Sequence, residues 1–230
     1  MDQHLKKIIK YIGGKTVQPL TAKYLSVTRK YTYNSIQLII PPGVFHPGFF
    51  FSSKLLLKYI LTRQLCEKKF LELGAGSGLI AFSAAKKGAL ATATDINPIA
   101  IEYLTKNSRL NNLPIQIILS DLFQNIPVQP FDIIAINPPY YKKQPATEAE
   151  FAWYCGTDGK YFSTLFKGLE NYIHRQSLVF MVLSEECDLE MIKNIAAGYS
   201  FIFEPVQTKR LMWEINFIFK INRIGYTLHQ

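Results

Sequence analysis

The spacing of apolar residues divides the chain into two unequal parts. In residues 5–12 apolar side chains recur at the spacing of one helical face, which predicts a short helix that ends at Gly13-Gly14. Strand-like runs follow at residues 22–28 and 35–40, and Pro41-Pro42-Gly43 ends the second run. We predict that residues 1–51 form an extension, either a lid or a substrate-facing flap, ahead of a larger domain at residues 52–230.

Strand and helix patterns alternate throughout the larger domain. Helices are predicted at residues 53–63, 79–87, 98–111, 158–172 and 189–197, and apolar strands at 69–73, 91–95, 115–119, 131–137 and 178–183. Two more strand-like runs, 201–205 and 213–221, have no helical pattern between them. This order predicts a Rossmann-like, doubly wound α/β fold: a seven-stranded, mostly parallel sheet with an antiparallel C-terminal hairpin.

Composition narrows the classes of protein that remain. Hydrophobic residues make up 48% and charged residues 19% of the 230 positions, which is typical of an ordered globular protein. The sequence shows neither an apolar run long enough to span a membrane nor an export signal. Cys66, Cys155 and Cys187 are far apart, and the histidines are equally scattered. We therefore expect a cytoplasmic protein with no metal site and no membrane association.

The charge balance adds one expectation about partners. Lysine and arginine number 26 against 17 acidic residues, a net charge of +9, and the densest basic cluster is N-terminal. Such a cluster favours docking to something acidic, such as RNA, a ribosome or an acidic protein, although solubility alone explains many of the lysines.

A glycine-rich turn is the strongest local motif. Gly74, Ala75, Gly76 and Gly78 follow a predicted strand that contains Glu72, and they precede a predicted helix. Glycines allow a sharp turn and close approach of a ligand, while the helix N-terminus attracts a carboxylate or phosphate. The alternative is an ordinary glycine-rich turn. A dinucleotide fingerprint requires a further glycine where Leu79 stands, which disfavours a nicotinamide-dependent dehydrogenase.

A carboxylate ends the next predicted strand, about twenty residues after the glycines. Asp95 is placed there to accept both hydroxyls of a ribose, and Ile96 can pack on an adenine ring. The alternative for Asp95 is a helix N-cap before Asn97-Pro98.

The sequence Asn137-Pro138-Pro139-Tyr140 follows a later apolar strand. The two prolines remove two N–H donors, so the strand end offers acceptors, and the Asn137 side-chain oxygen and the Pro138 carbonyl can accept both N–H groups of a planar NH2. Tyr140 can stack on such a group. Accepting these hydrogens localises charge on a poorly nucleophilic nitrogen and aims it, without a dedicated base. The alternative is a rigid turn.

Together these motifs resemble a known enzyme family. The G-x-G-x-G spacing from Gly74 is similar to the first motif of class I S-adenosylmethionine-dependent methyltransferases. With Asn137-Pro138-Pro139-Tyr140, the chain most resembles the HemK/PrmC branch, the protein-(glutamine-N5) methyltransferases of release factors. Residues 44–48, which include Phe45, and residues 155–159 resemble further segments of that branch.

The resemblance implies a cofactor and a set of site residues. It implies that S-adenosyl-L-methionine is bound, that Asp121 accepts the adenine amino group, and that Leu122 flanks the ring. The full implied cofactor set is Phe45, Glu72, Gly74, Ala75, Gly76, Gly78, Asp95, Ile96, Asp121, Leu122 and Asn137. The implied reaction is methyl transfer to a planar amide or amino nitrogen, catalysed by Asn137, Pro138, Pro139 and Tyr140, with a protein glutamine as the first candidate acceptor.

Two departures from the branch keep other functions open. The helical N-terminal substrate domain of the family is replaced by about fifty residues, and its Pro-Arg-x-x-Thr-Glu run is absent. An adenine N6 in RNA or DNA therefore remains an alternative acceptor within the expected class of macromolecular partners, protein or RNA. A non-catalytic assembly protein that binds S-adenosylmethionine is the alternative from another class.

Overall fold

The computed structural model describes residues 24–49, 51–139, 159–211 and 214–226. The helix predicted at residues 5–12 lies outside these ranges. The strands are β1 (Arg29–Tyr33), β2 (Ile36–Ile40), β3 (Lys69–Leu73), β4 (Leu90–Asp95), β5 (Gln116–Leu119), β6 (Phe131–Ile136), β7 (Ile173–Ser184), β8 (Phe201–Leu211) and β9 (Glu214–Arg223). The α-helices are α1 (Phe51–Ile60), α2 (Leu79–Lys86), α3 (Pro98–Asn111), α4 (Lys160–Leu169) and α5 (Leu189–Gly198).

A seven-stranded sheet forms the centre of the fold, in the order β5-β4-β3-β6-β7-β9-β8. Neighbouring strands from β5 to β7 are parallel, whereas β9 runs antiparallel to both β7 and β8. The chain moves outward from β3 to β5 and then returns to β6, so the strand order reverses between β3 and β6. The carboxyl ends of strands at such a reversal form a crevice. The predicted fold class is confirmed.

Helices cover both faces of this sheet. Helices α1, α2 and α3 pack on one face, and α4 and α5 pack on the other. Strand β6 shows why the predicted strands are apolar throughout: Ile133 and Ala135 enter the first core, while Ile134 and Ile136 enter the second. Burial on both faces leaves no polar side in the middle of the sheet.

Strands β1 and β2 form a separate antiparallel hairpin. Its two-residue turn holds Asn34 and Ser35 at φ values of 45° and 64°, a conformation whose twist matches that of a hairpin. The prediction of a strand at residues 22–28 was wrong over its described part, since the strand begins at Arg29. The turn pairs Tyr33 with Ile36 and thereby sets the register between β1 and β2.

Two asparagines of α3 hold the hairpin in place. The fully buried Asn107 accepts a hydrogen bond from Ile39 N at 2.8 Å and donates one to Ile39 O at 3.1 Å. One turn later Asn111 makes the same pair of bonds to Gln37, at 2.8 and 2.6 Å. These amides take the place of a neighbouring strand, and they fix the segment that leads from β2 to Phe45.

Several predicted boundaries shift. Strand β8 continues past Pro205, where the prediction ended, because an edge strand tolerates the missing N–H and a bulge follows the proline. The predicted helix at residues 158–172 ends at Leu169 and continues as the 3₁₀ helix Glu170–Tyr172. Within the described ranges, no helix combines the length and apolar character that crossing a membrane requires. The domain boundary at residue 51 stays a prediction.

Candidate active site

The glycine turn joins β3 to α2 in a conformation that favours glycine. Gly74, Gly76 and Gly78 have φ values of 72°, 52° and 78°. A Cβ atom added to Gly74 would meet nothing within 4 Å, and one added to Gly76 would lie 3.4 Å from the Cβ of Phe45. Gly74 and Gly76 both line a cavity at the carboxyl ends of the strands. The turn therefore opens its backbone to a ligand on one side and contacts Phe45 on the other.

Gly78 has a packing role that the sequence did not predict. It is absent from the residues that line the cavity, and it forms the N-cap of α2. A Cβ on Gly78 would lie 2.4 Å from Leu104 Cδ2 and 2.7 Å from the Phe82 ring. Gly78 therefore allows α3 to pack closely against the start of α2. Its predicted contact with the cofactor stays a prediction.

Glu72 is a buried carboxyl at the end of β3. Its side chain is 6% exposed, and Oε2 accepts a hydrogen bond from Ala81 N at 2.7 Å in the first turn of α2. Burial raises the pKa of Glu72 to about 8, the nearby Asp95 carboxylate contributes in the same direction, and the Ala81 N–H opposes the shift. Glu72 is thus mostly protonated at neutral pH in the free protein, although it lines the cavity.

Asp95 connects the glycine turn to the start of α3. Its Oδ2 accepts a hydrogen bond from Gly76 N at 2.7 Å, and its Oδ1 accepts one from Asn97 N at 2.9 Å. Asn97 is itself the N-cap of α3, accepting from Ile99 N, so the cap alternative for Asp95 is wrong. Burial raises the pKa of Asp95, while these backbone N–H groups oppose the shift. A carboxylate has about four acceptor positions, so Asp95 retains capacity for ligand hydroxyls.

The loop after β5 brings an apolar side chain into the cavity. Leu122 has φ 48°, which is uncommon for a residue with a Cβ atom. Ser120 stabilises this conformation, because its Oγ donates to Leu122 O at 2.9 Å and accepts from Asn125 N at 3.0 Å. Leu122 and the exposed Asp121 line the cavity together with Ile96, which follows β4, the neighbour of β5 in the sheet.

Asn137 lines the cavity directly after β6, which lies on the other side of β3 from β4 and β5. Its Nδ2 donates to Ser53 Oγ at 2.9 Å and to Ser52 Oγ at 3.4 Å, and both serines belong to the first turn of α1. These two bonds place the amide nitrogen toward α1 and direct Oδ1 away from it. Sequence reasoning did not predict Ser52 or Ser53 as site residues.

The cavity collects most of the predicted site residues. Its lining includes Phe45, Glu72, Gly74, Ala75, Gly76, Asp95, Ile96, Asp121, Leu122, Asn137, Pro138 and Pro139. Tyr140 lies outside the described residues. Ser53 and Tyr161 also line the cavity and were not predicted. Among the residues that the structure describes, no cluster of three or more His, Cys, Asp or Glu side chains is placed to hold a metal.

Known proteins resemble this chain in both sequence and fold. Residues 35–155, more than half of the chain, match the family model described as Methyltransferase small domain. A Methanocaldococcus jannaschii protein, provisionally named a protein N5-glutamine methyltransferase, is 37% identical over 158 residues, which cover 65% of this chain and 76% of that protein. The release factor glutamine methyltransferase of Streptococcus pneumoniae is 36% identical over 96 residues, 40% of this chain and 34% of that enzyme.

A solved structure shows the same architecture. A methyltransferase from Pyrococcus furiosus superposes with a TM-score of 0.59 at 20% identity, covering 90% of this chain and 98% of that one. The fold and its crevice are those of a class I S-adenosylmethionine-dependent methyltransferase. The chain belongs to the Methyltransferase small domain family, and its relatives place it with the HemK-like enzymes. The predicted enzyme class and cofactor are confirmed.

Proposed function

We propose that the protein methylates the side-chain amide nitrogen of a glutamine in a protein substrate. The observation that carries this proposal is that Asn137, Pro138 and Pro139 line the same cavity as the glycine turn and Asp95. This shared lining supports the proposal that the acceptor group and the methyl donor come within reach of each other. S-adenosylmethionine supplies an electrophilic methyl group, and the protein supplies position and hydrogen-bond acceptors.

The cavity residues fit the parts of this cofactor. The open backbone at Gly74 and the buried carboxyl of Glu72 suit the amino-acid end, which carries both a carboxylate and an ammonium group. The remaining acceptor positions of Asp95 suit the ribose hydroxyls. Ile96 and Leu122 offer apolar surface for the adenine ring, with Asp121 as acceptor for its amino group.

At the acceptor end, Asn137 is the central residue. The serines of α1 accept hydrogen bonds from its amide nitrogen, which supports a role for Oδ1 as the atom that binds the acceptor. Oδ1 and the Pro138 carbonyl accept the two N–H groups of a glutamine amide, which localises charge on its nitrogen and fixes the direction of attack. Once nitrogen becomes cationic, its proton leaves to solvent.

The relatives favour glutamine over other acceptors. The archaeal relative and the streptococcal enzyme are both named for glutamine methylation, and the first of them is covered over 76% of its length. An adenine N6 remains a second candidate because its exocyclic amine presents the same two hydrogens in a plane and the N-terminal region is basic. The division at residue 51 and a cytoplasmic location stay predictions.

The direct test is methyl transfer from tritiated S-adenosylmethionine into cell extract. We expect protease to abolish the macromolecular label, ribonuclease to leave it, and mass spectrometry to find N5-methylglutamine in the labelled protein. The Asn137→Ala protein is the control and should transfer no label. Label that only ribonuclease abolishes would instead support the adenine candidate. Cofactor binding with no label in any fraction would support the assembly protein.

A further inference from the structure

The excess of positive over negative charge in this chain arises in its first third. Residues 3–66 contain ten lysines and arginines and not one aspartate or glutamate, which leaves 16 basic and 17 acidic residues elsewhere. The whole excess of +9 therefore arises in a segment that carries no carboxylate of its own. A solvated surface normally mixes both signs, so this separation indicates a polyanionic partner.

The described part of this segment combines cations with exposed aromatic rings. We call this surface the basic aromatic face, and it consists of Tyr24, Arg29, Tyr31, Phe49, Phe51 and Lys54. The Arg29 guanidinium lies 3.9 Å from the centre of the Tyr24 ring, and Lys54 Nζ lies 5.7 Å from that of Tyr31 and 5.8 Å from that of Phe51. Tyr24, Phe49 and Phe51 are each about 40% exposed. Lys58 is also exposed, one turn along α1 from Lys54.

The basic aromatic face adjoins the acceptor end of the cavity. The ring of His46 contacts Tyr24, Tyr31 and Phe49 at centroid distances of 6.2, 5.3 and 5.2 Å, which links these residues into one cluster. His46 directly follows Phe45, and Lys54 directly follows Ser53, and both Phe45 and Ser53 line the cavity. The basic aromatic face therefore lies next to residues that line the cavity.

We propose that the basic aromatic face binds RNA in a single-stranded or loop conformation. Lysine outnumbers arginine eight to two in residues 3–66, and lysine is depleted in protein interfaces while it commonly contacts phosphates. Exposed rings beside cations suit stacking of unpaired bases, which every base sequence permits. An acidic protein is the other class of polyanion, and it offers no base for these rings to stack on.

This proposal goes beyond glutamine methylation and does not depend on it. An RNA bound beside the cavity either accompanies the protein acceptor, as in a ribonucleoprotein, or carries the acceptor itself. Binding is measured without methyl transfer, so its result is independent of the test of the proposed function.

The test is fluorescence anisotropy with a labelled single-stranded RNA of mixed sequence, titrated with the 230-residue protein. The titration is repeated at salt concentrations between about 50 and 200 mM, a range in which binding through phosphate contacts weakens steeply. The triple variant Arg29→Gln, Lys54→Gln, Lys58→Gln is compared with a matched control, Lys167→Gln, Lys193→Gln, Lys209→Gln. The control loses the same charge from α4, α5 and β8, away from the face. Thermal unfolding and cofactor affinity establish that both variants fold.

We expect the face variant to weaken binding by on the order of tenfold and to flatten the slope of log K against log salt by about 2, since each lost phosphate contact on a single strand removes about 0.7. The control should change both quantities much less. Phe51→Leu should weaken single-stranded RNA more than duplex RNA, because stacking needs an unpaired base. Equal losses in the two triple variants, or tighter binding to poly-glutamate than to RNA, would overturn the proposal.

Discussion

Replacing Glu72 by glutamine should remove a large pH dependence from the stability of the free protein. Burial raises the pKa of Glu72 to about 8, against 4.5 for an unperturbed carboxyl. The folded protein therefore holds a proton that the unfolded chain releases, so the free energy of unfolding falls as pH rises from about 4.5 to about 8. At about 1.4 kcal/mol per pKa unit, roughly 3 kcal/mol is lost by pH 7, roughly 4 kcal/mol by pH 8, and nearly 5 kcal/mol well above pH 8.

Urea unfolding of the wild type and Glu72→Gln at pH 5, 6, 7 and 8 measures this difference directly. A glutamine oxygen can still accept from Ala81 N, and the other titrating groups are common to both proteins. The free energy of unfolding of the wild type should fall relative to the variant by up to about 1.4 kcal/mol per pH unit over this range. Parallel pH profiles would refute the assignment of a buried, protonated Glu72.

The same carboxyl should make cofactor affinity depend on pH. If the ammonium group of S-adenosylmethionine lies beside Glu72, as we propose, binding lowers the pKa of Glu72 and releases a proton below pH 8. Affinity for the wild type should then rise by up to about tenfold per pH unit between pH 6 and pH 8. Calorimetry on Glu72→Gln should show a markedly flatter profile. An equal slope in both proteins would place the ammonium group elsewhere.

Three further substitutions test separate parts of the site. Asp95→Ala should weaken S-adenosylmethionine binding by about 1 to 3 kcal/mol in calorimetry, since ligand hydroxyls lose their acceptor; unchanged affinity would contradict the ribose assignment. Ser53→Ala should lower kcat by about tenfold at unchanged cofactor affinity, because Asn137 Nδ2 loses its hydrogen-bond acceptor at 2.9 Å. Ser53→Thr retains a hydroxyl and should restore kcat. Failure of Ser53→Thr to restore kcat would contradict the role of Ser53 in orienting Asn137. Gly78→Ala should lower the free energy of unfolding by roughly 2 to 4 kcal/mol, because the new methyl group overlaps Leu104. Gly225 has a similar positive φ but no atom within 4 Å of an added Cβ, so Gly225→Ala should lower the free energy of unfolding only by the backbone strain. An equal decrease in both variants would contradict the packing role of Gly78.

The sequence was informative wherever a ligand-facing residue ends a strand. Asp95 ends one predicted strand and Asn137 ends another, and the neighbours of these strands in a parallel sheet are predictable, so their meeting at one edge of the sheet follows from strand order. The glycine turn was predictable for the same reason. Fold class followed from the alternation of patterns, and the two-residue turn at Asn34 was missed because no periodicity marks it.

Contacts between residues far apart in the chain could not be predicted from the spacing of apolar and polar residues. Ser53 and Asn137 are 84 positions apart, and a serine in the first turn of a helix is ordinarily interpreted as a local cap. Asn107 has no sequence signal for its pairing with Ile39, 68 positions away. The G-x-G-x-G spacing treats Gly74, Gly76 and Gly78 alike, and only the structure shows that Leu104 packs against Gly78.

The most direct test of the account compares cofactor affinity with turnover in Asn137→Ala. If the cavity joins a methyl donor site to a hydrogen-bond-accepting acceptor site, the variant binds S-adenosylmethionine with nearly wild-type affinity in calorimetry and transfers no methyl group to the labelled protein fraction. Turnover at the wild-type rate with the amide removed would contradict the central claim that Asn137 holds the acceptor nitrogen.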